Sequence, residues 1–347
     1  MSYLKNKIIN DPIYGFIHIP FNIIYQLINH SYFQRLRRIS QLGLSSLVYP
    51  GANHSRFHHA IGAMHLMNQA LQTLQKKGHK ITKKEQEASL IAILLHDIGH
   101  GPFSHALENS IVQKLSHEKL SIMFMQQLNE IFDKKLSLAI NIFQDNYKKK
   151  FLHQLISSQL DVDRLDYLNR DSFYSGVNEG IINSNRIISM LNVKNNELVV
   201  DYKGIYSIEK FIIARKLMYW QVYLHKTVLS AEHTLMKILQ RAQYLAKHKK
   251  TIYTTPALKN FLYKNNNVEE LSVNKKILLE KFSLLDDSDI LTCLKNWINS
   301  KDIVLKNLSK AIINRHLLKI KTVEKIDINK EVNRLREIVR MKFKINK

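Results

Sequence analysis

The chain has 347 residues, of which 45% are apolar, so it can bury a large core in one domain or two. Its few glycines and prolines (10 and 5) favour a globular, mostly helical protein over a disordered or β-rich one. The single cysteine cannot form an internal disulfide, and no apolar run is long enough to span a membrane. We therefore expect a cytoplasmic protein with no membrane contact.

The net charge of +23 has two interpretations. Residues 1–180 carry a net charge of +6 and residues 181–347 a net charge of +17, so the C-terminal half holds most of the excess. This charge could attract a polyanion such as nucleic acid. It could equally reflect a compositional drift towards lysine, asparagine and isoleucine. The charge alone leaves both interpretations open.

Most of the chain has apolar residues at helical spacing. A helix is predicted at about 56–75, and His59 lies on its buried face. The next is predicted at 85–98, where Gly99 ends it and Pro102 suits the first turn of the following helix. Further helical segments are predicted at 23–28, 33–42, 117–132, 134–145, 150–170, 184–191, 207–247, 255–263, 275–282, 287–298, 301–309 and 328–343.

Residues 190–204 are the main exception, because β-prone runs there flank an Asn-Asn pair and predict a small hairpin. Short strands are also conceivable near 251–254 and around 314–322.

A basic run at Lys247–Lys250 ends a long predicted helix, where cations suit the helix dipole. It predicts a boundary between a core at 1–248 and a basic C-terminal lobe at 249–347. The predicted fold class is mainly α, with a small β-hairpin and an α-rich (α+β) C-terminal lobe.

His96 and Asp97 stand side by side at the end of an apolar helix, in the stretch LLHDIGHGPFSHALE. A metal ion at that helix end could take a nitrogen from one and an oxygen from the other. The alternative is that His96 only caps the helix and Asp97 is a solvated turn residue. His59 and Asp163 would complete a set of two imidazoles and two carboxylates, which suits a first-row transition metal with open positions.

The segment around Asp163 is unusually polar for a helix. Asp161 lies about 200° away from Asp163 around a helix, so both cannot face one site. Asp166 and Arg170 are four residues apart and can form a pair that steadies the helix.

A second group of polar residues follows the His-Asp pair. His105 and Glu108 share one helix face, and His117 and Glu118 come shortly afterwards. A histidine beside carboxylates can stay protonated near neutral pH and protonate a leaving oxygen. Each histidine could instead be an ordinary structural residue. Arg56 could hold phosphate oxygens in fork geometry.

Six motifs, in chain order, resemble those of the HD-domain phosphohydrolases. Within that superfamily they resemble most the deoxynucleoside triphosphate triphosphohydrolases related to the SAM-and-HD-domain protein. They are FQRLRRISQLG (33–43), YPGANHSRFHHAIG (49–62), LLHDIGHGPFSHALE (94–108), HEKLS (117–121), LDVDRLDYLNRD (160–171) and ARKLMYWQVYLHK (214–226). The resemblance covers about 1–245 and is to the bacterial type without a SAM domain. It implies a helical HD-domain bundle.

The resemblance also implies roles for individual residues. The implied metal ligands are His59, His96, Asp97 and Asp163. The implied catalytic residues are His105 and Glu108, supported by His117 and Glu118. The implied phosphate contacts are Arg56, Arg164, Tyr167 and Arg215. The implied deoxyribose contacts are Gln41 and Asp171 at the 3′-OH, Tyr223 at the 2′ position, and Leu42. The cofactors would be one Fe, Mn, Zn or Ni ion, with Mg²⁺ on the triphosphate.

The sequence departs from the family pattern at two places. Tyr219 and Leu224 replace the histidine and glutamine of the family's base pocket. Asn29 replaces the aspartate that reads guanine at an activator site, where Gln34 and Arg37 still match. An amide cannot accept two donors from guanine as a carboxylate does, so the base of an activating nucleotide stays open.

Together these implications predict hydrolysis of a dNTP to a deoxynucleoside and inorganic triphosphate. The resemblance also implies a homotetramer or dimer, assembled or stabilised by nucleotides. One alternative is the same metal site acting on another phosphoester, such as a nucleoside monophosphate, a cyclic dinucleotide or a nucleic-acid end. Another is a non-catalytic protein that binds nucleotides or nucleic acid through its basic C-terminal half.

Overall fold

A computed structural model confirms the predicted mainly α-helical fold, and its described residues form two small antiparallel hairpins. The structure describes residues 7–108, 116–263, 275–320 and 328–343, without the side chains at 105, 108 and 343. The helices are α1 Asn22–Asn29, α2 Ser31–Gln34, α3 Arg56–Lys76, α4 Lys83–Leu95, α5 Ser104–Glu108, α6 His117–Ile131, α7 Ser137–Phe143, α8 Lys150–Gln154, α9 Val162–Ser175, α10 Ser184–Met190, α11 Ile205–Met218, α12 Lys226–Lys247, α13 Pro256–Leu262, α14 Lys275–Ser283, α15 Asp287–Trp297, α16 Ile303–Ile313 and α17 Ile328–Phe343. The strands are β1 Ile8–Asp11, β2 Gly15–His18, β3 Leu191–Lys194 and β4 Glu197–Val200.

The predicted hairpin is present, since β3 pairs with β4 and places Val193 opposite Leu198. Asn195 and Asn196 form its turn with φ of 52° and 68°, a conformation that asparagine tolerates. A second hairpin, β1–β2, was not predicted, because its strands, IIND and GFIH, do not alternate apolar and polar residues.

Two long predicted helices were wrong in length. The helix predicted at 150–170 is two helices, because the Asp161 carboxylate accepts a hydrogen bond from the Arg164 N–H and starts α9 there. The helix predicted at 207–247 is interrupted by a π-helical turn, Tyr219–Tyr223, between α11 and α12.

Three other local predictions also need correction. Residues 33–42 form α2 and a 3₁₀ turn, Arg35–Arg38, rather than a continuing helical stripe. The chain is not in a strand at 251–254, nor at 314–320 within the conceivable strand 314–322, whose last two residues lie outside the described part.

The centre of the core is α3, which packs against both α4 and α9. Residues Leu90–Leu95 of α4 are completely buried, so this helix is apolar on every side. Helices α3 and α9 approach closely at Gly62, where a Cβ atom would lie 2.1 Å from the Arg170 guanidinium. This packing brings the start of α3, the end of α4 and the start of α9 together.

The C-terminal segments join the same core. The Arg38 guanidinium pairs with Asp286 at 2.5 Å, and the Ser40 N–H donates to Asp287 at 2.8 Å. The buried Arg35 guanidinium lies 5.0 Å from the centre of the Phe282 ring. The boundary at 248 stays a prediction.

Glu85 is a buried carboxylate that connects the start of α4 to the residues just before α8. It completes a capping box with Thr82 at the start of α4, and it accepts hydrogen bonds from Tyr147 (2.7 Å) and Lys149 (2.8 Å). Burial alone would raise the pKa of Glu85, but hydrogen bonds from Lys149, Thr82 and Tyr147 lower it to about 2. The stabilisation is therefore present above the ordinary value of 4.5 and is lost as the pH falls towards 2.

We expect Glu85→Gln to lower the free energy of unfolding at pH 7 by about 1–3 kcal/mol, because Lys149 loses its charged partner. The difference from the unchanged protein should shrink as the pH falls below 4.5. Urea denaturation at a series of pH values measures both effects. Glu130→Gln is the control, since Glu130 is exposed and should matter little. A difference that does not change with pH would contradict this account.

Candidate metal centre

Three helix ends present the candidate ligands. His59 lies in the first turn of α3, which begins with a capping box formed by Ser55 and His58. His96 follows the last residue of α4, and Asp163 lies in the first turn of α9. Because these ends meet, ligands that are distant in sequence face one another.

The spacing of the ligand atoms is that of a coordination shell. His59 Nε2 lies 3.0 Å from Asp163 Oδ1 and 3.3 Å from His96 Nε2. His96 Nε2 lies 3.5 Å from the same Asp163 oxygen. Neighbouring ligand atoms about 2.1 Å from a cation lie roughly 3.0–3.4 Å apart in octahedral or tetrahedral geometry. The three residues therefore form a group that could hold one divalent ion.

The other nitrogen of each imidazole is already hydrogen-bonded. His96 Nδ1 lies 2.6 Å from the Ile93 carbonyl oxygen, which can only accept, so Nδ1 carries a hydrogen. His59 Nδ1 lies 2.7 Å from the Asp166 carboxylate, which holds its ring in the same tautomer. In the neutral imidazoles both Nε2 lone pairs thus point into one space, which suits a cation.

The carboxylates around this space favour the protonated form of His59. Burial alone would lower the pKa of His59, but hydrogen bonds with Asp163 and Asp166 raise it to about 10. Burial alone would raise the pKa of Asp163, but its contacts with His59 and His96 lower it. A metal ion would have to displace the His59 proton, so metal affinity should increase with pH.

Asp97 lies at the edge of this group. Its Oδ1 is 3.3 Å from His96 Nε2 and 3.2 Å from His100 Nε2. Its Oδ2 accepts a hydrogen bond from Arg56 Nη1 at 2.5 Å and lies 3.9 Å from His59 Nε2. The structure therefore places Asp97 beside the three other ligands, with both oxygens already in contact with other side chains. Arg56, predicted to contact phosphates, holds a predicted metal ligand.

The turn after His96 is held in place by α6. Ser121 Oγ donates to the His96 carbonyl oxygen at 2.7 Å and accepts from the Gly99 N–H at 2.9 Å. A Cβ at Gly99 would lie 2.2 Å from the His117 carbonyl oxygen, so only glycine fits. The His117 ring stacks on His100 at 3.9 Å.

The remaining predicted catalytic residues lie near this turn in sequence. Glu118 is exposed in the first turn of α6. His105 and Glu108 lie on α5, and their side chains are outside the described part of the chain.

A row of aromatic rings extends from the metal group. The Tyr167 ring centre lies 6.5 Å from that of His59 and 6.1 Å from that of Tyr223. The Tyr219 ring lies 5.1 Å from Tyr223, and the Arg215 guanidinium lies 5.9 Å from the Tyr219 ring. Four residues predicted to bind the substrate are therefore contiguous with the metal ligands.

The predicted deoxyribose residues are joined by a histidine. The Tyr223 hydroxyl donates to Asp171 Oδ2 at 2.8 Å, and His54 Nε2 lies 2.8 Å from Asp171 Oδ1. The Gln41 N–H donates to the His54 carbonyl oxygen at 3.0 Å, and Leu42 follows, partly buried against the core.

Arg164, a predicted phosphate contact, instead pairs with Asp161.

The residues predicted for an activator site form a separate cluster. Arg37 Nε donates to Gln34 Oε1 at 2.9 Å, and Gln34 Nε2 donates to the Ile28 carbonyl oxygen at 2.7 Å. Asn29, next in sequence to Ile28, is exposed and donates to the Tyr25 carbonyl oxygen at 2.9 Å.

Sequence reasoning missed three residues of the site. Asp166 was assigned only to Arg170, although it follows Asp163 by one helical turn and contacts His59 as well. His100, four residues after His96, offered a signal in its spacing that was not used. His54 offered no signal, since only the fold brings it to Asp171.

Comparisons with known proteins place this geometry in a family. Residues 56–171 match the HD domain, and residues 182–252 match the HD-associated region. A solved phosphohydrolase structure from Bacteroides thetaiotaomicron is 52% identical, with a TM-score of 0.95, over 99% of this chain and 85% of that one. The chain belongs to the HD-domain phosphohydrolases. The matched HD domain begins at Arg56 and contains the three residues of the metal group.

Relatives of this HD-domain phosphohydrolase include proteins with and without a stated activity. The uncharacterized protein YwfO of Bacillus subtilis is 35% identical over 90% of this chain and 71% of its own length. The deoxynucleoside triphosphate triphosphohydrolase SAMHD1 homolog of Dictyostelium discoideum is 32% identical over 71% of this chain, which spans 51% of that protein. Among the described residues, none of the helices has both the length and the apolar character needed to cross a membrane.

Proposed function

We propose that this HD-domain phosphohydrolase converts a dNTP into a deoxynucleoside and inorganic triphosphate. The observation that carries the proposal is the continuous path from the metal group to Asp171. It runs from His59 through Tyr167 and Tyr223 to the Asp171 carboxylate. A cation site beside a tyrosine-lined wall that ends in a carboxylate suits a phosphate joined to a sugar. The similarity to proteins named deoxynucleoside triphosphate triphosphohydrolases supports the same substrate class.

Different side chains would bind the metal ion and the sugar. A divalent ion held by His59, His96 and Asp163 would acidify a water molecule and polarise a phosphoryl oxygen. Asp171 keeps acceptor capacity beyond its contacts with His54 and Tyr223, because a carboxylate has about four lone-pair sites, so it can accept a sugar hydroxyl.

Positive charge beside the site would offset the charge of the phosphates. Arg215 lies next to Tyr219, and Arg164, at the start of α9, could contribute only where a phosphate replaces its partner Asp161. Water attack at the α-phosphorus breaks the bond to the 5′-oxygen, which needs a proton. We assign that proton to His105, with Glu108, His117 and Glu118 in support.

The test is incubation with each dNTP in the presence of Mg²⁺ or Mn²⁺, followed by chromatography. We expect free deoxynucleoside and inorganic triphosphate in equal amounts. Release of a deoxynucleoside monophosphate and pyrophosphate would contradict this mode of cleavage. Turnover only of monophosphates, cyclic dinucleotides or nucleic-acid ends would favour the other phosphoesterase activity. Binding of nucleotide or nucleic acid without turnover would favour a non-catalytic protein.

We further propose that the cluster of Asn29, Gln34 and Arg37 binds an activating nucleotide and that the protein acts as a homo-oligomer. An amide–guanidinium pair beside an exposed asparagine suits a base and a phosphate. Adding a second nucleotide at a fixed substrate concentration tests the activation. An unchanged rate with every added nucleotide would reject it.

A further inference from the structure

Helix α17 presents an apolar face that the rest of the described chain leaves exposed. Ile328 is 67% exposed, Val332 is 37% exposed, and Leu335 and Val339 are each 47% exposed. The helix has 16 residues, little more than the roughly 12–15 below which an isolated helix is marginal in water. A surface that covers this face would therefore stabilise it.

The apolar positions follow a heptad pattern. Ile328, Val332, Leu335 and Val339 are separated by four, three and four residues. At 100° per residue they lie within an arc of about 60°. This stripe is as narrow as a coiled-coil seam. It places valines at both a positions and Ile328 and Leu335 at the d positions. Among parallel coiled coils, β-branched residues at a with leucine at d favour two strands.

Opposite charges lie on the two sides of this stripe. Glu331 stands at the g position and Arg336 at the following e position, five residues later. In a parallel pair in register, each g residue faces the e residue five positions later on the other helix. Glu331 of each helix would thus face Arg336 of the other helix, which gives two such pairs related by the two-fold axis.

Glu331 and Arg336 each also contact a residue of their own helix. Glu331 accepts hydrogen bonds from Arg334 on the same helix at 2.6 and 2.7 Å, and Arg336 lies 3.5 Å from Asn333 Oδ1. Both are exposed contacts within one helix, which are weak.

We propose that a second copy of this chain docks on α17 and forms a parallel two-stranded coiled coil with it. The seam consists of Ile328, Val332, Leu335 and Val339, and Glu331 pairs with Arg336 across it. The basic residues Lys330, Arg334 and Arg340 lie away from the stripe, so the two helices meet without bringing these charges together. The proposal is independent of the reaction catalysed, because it uses no residue of the metal centre.

The first test is disulfide trapping in the full-length chain with Val332→Cys. Equivalent a residues meet across the axis of a parallel coiled coil, close enough for a disulfide. Glu337→Cys is the matched control, because Glu337 lies on the opposite side of the helix. The native Cys293 is buried, so the unchanged protein gives the background. Under mild oxidation we expect Val332→Cys to form covalent dimers about tenfold faster than Glu337→Cys.

The second test reverses the flanking charges in the Val332→Cys protein. Glu331→Arg and Arg336→Glu should each slow cross-linking by about fivefold, since each puts like charges opposite each other. The two changes together should restore the rate.

Equal rates for Val332→Cys and Glu337→Cys would overturn the proposal. So would single reversals without effect, or a double reversal as slow as the single ones. Binding of α17 to anionic vesicles or DNA without any Val332→Cys cross-link would assign the helix to a polyanion instead.

Discussion

Replacing Asp163 with alanine should abolish the phosphohydrolase activity while the protein stays folded. The Asp163 carboxylate is the anionic member of the metal group and lies within 3.5 Å of both imidazole nitrogens. Without it, two neutral histidines and the edge residue Asp97 have to hold the ion. The Asp163 side chain is 26% exposed, so water can fill the space that it leaves. The fold should therefore persist, although the variant loses the contacts of Asp163 with His59 and His96.

Three measurements check this expectation. Metal content by mass spectrometry should fall to background, turnover of any substrate cleaved by the unchanged protein should vanish, and the circular dichroism melting curve should persist. Glu130→Ala is the control, since the Glu130 side chain is 59% exposed on α6 and its loss should leave all three values nearly unchanged. Asp163→Ala protein that keeps both its metal and its turnover would reject the ligand assignment.

Asp166→Asn should have a smaller effect, and it distinguishes the candidate ligands from a residue that only orients one of them. Asp166 does not face the cation but fixes the His59 ring through Nδ1. Substitution of such a supporting group typically costs about 10–100-fold in metal affinity or activity. Metal titration should therefore give a lower metal affinity for Asp163→Ala than for Asp166→Asn.

The sequence predicted which residues form the candidate metal group better than it predicted their contacts. His96 and Asp97 could be found because they end an apolar helix, and His59 and Asp163 because they accompany family-like motifs. The spatial relation of Asp97 to the others could not be predicted. One Asp97 oxygen contacts Arg56 and the other contacts His100. The geometry of these contacts depends on the packing between α3 and the turn after α4.

The fold was predictable where one apolar face repeats and failed where the pattern gives no boundary. Because apolar spacing continues through 150–170, the sequence pattern does not indicate that α8 ends there and that the Asp161 cap starts a new helix, α9. Helix α11 has apolar residues on several faces, including the exposed Ile212 and Ile213. Such a sequence does not reveal the π-helical turn that follows it.

The Arg170 guanidinium should be the side chain whose loss destabilises the protein most. It is fully buried, donates to both oxygens of Asp166 at 2.9 Å, and donates to Asp11 at 2.8 Å. Arg170→Met leaves two buried carboxylates without their cation, which typically costs about 3–5 kcal/mol. Arg170→Lys should recover only part of this loss, because an ammonium cannot bridge two carboxylates in fork geometry. Urea denaturation at pH 7 measures both variants.

The pH dependence has a defined sign. Burial alone would raise the pKa of Asp166, but Arg170 and His59 lower it to about 2. Its stabilisation is therefore present above the ordinary value of 3.8 and is lost as the pH falls towards 2. In Arg170→Met the pKa of Asp166 should rise. The stability of the variant should then depend less on pH between 2 and 3.8.

Two comparisons decide whether the buried pair itself is responsible. Arg241→Met removes a pair with Asp302 that is only partly buried, and it should cost less than Arg170→Met, about 1 kcal/mol. Gly62→Ala keeps every charge but places a Cβ atom 2.1 Å from both the Arg170 guanidinium and Asp166, so it should also destabilise the protein. Because Asp166 holds His59 as well as Arg170, both core variants should bind metal more weakly than Arg241→Met. A loss in Arg170→Met no larger than in Arg241→Met would show that the pair contributes little.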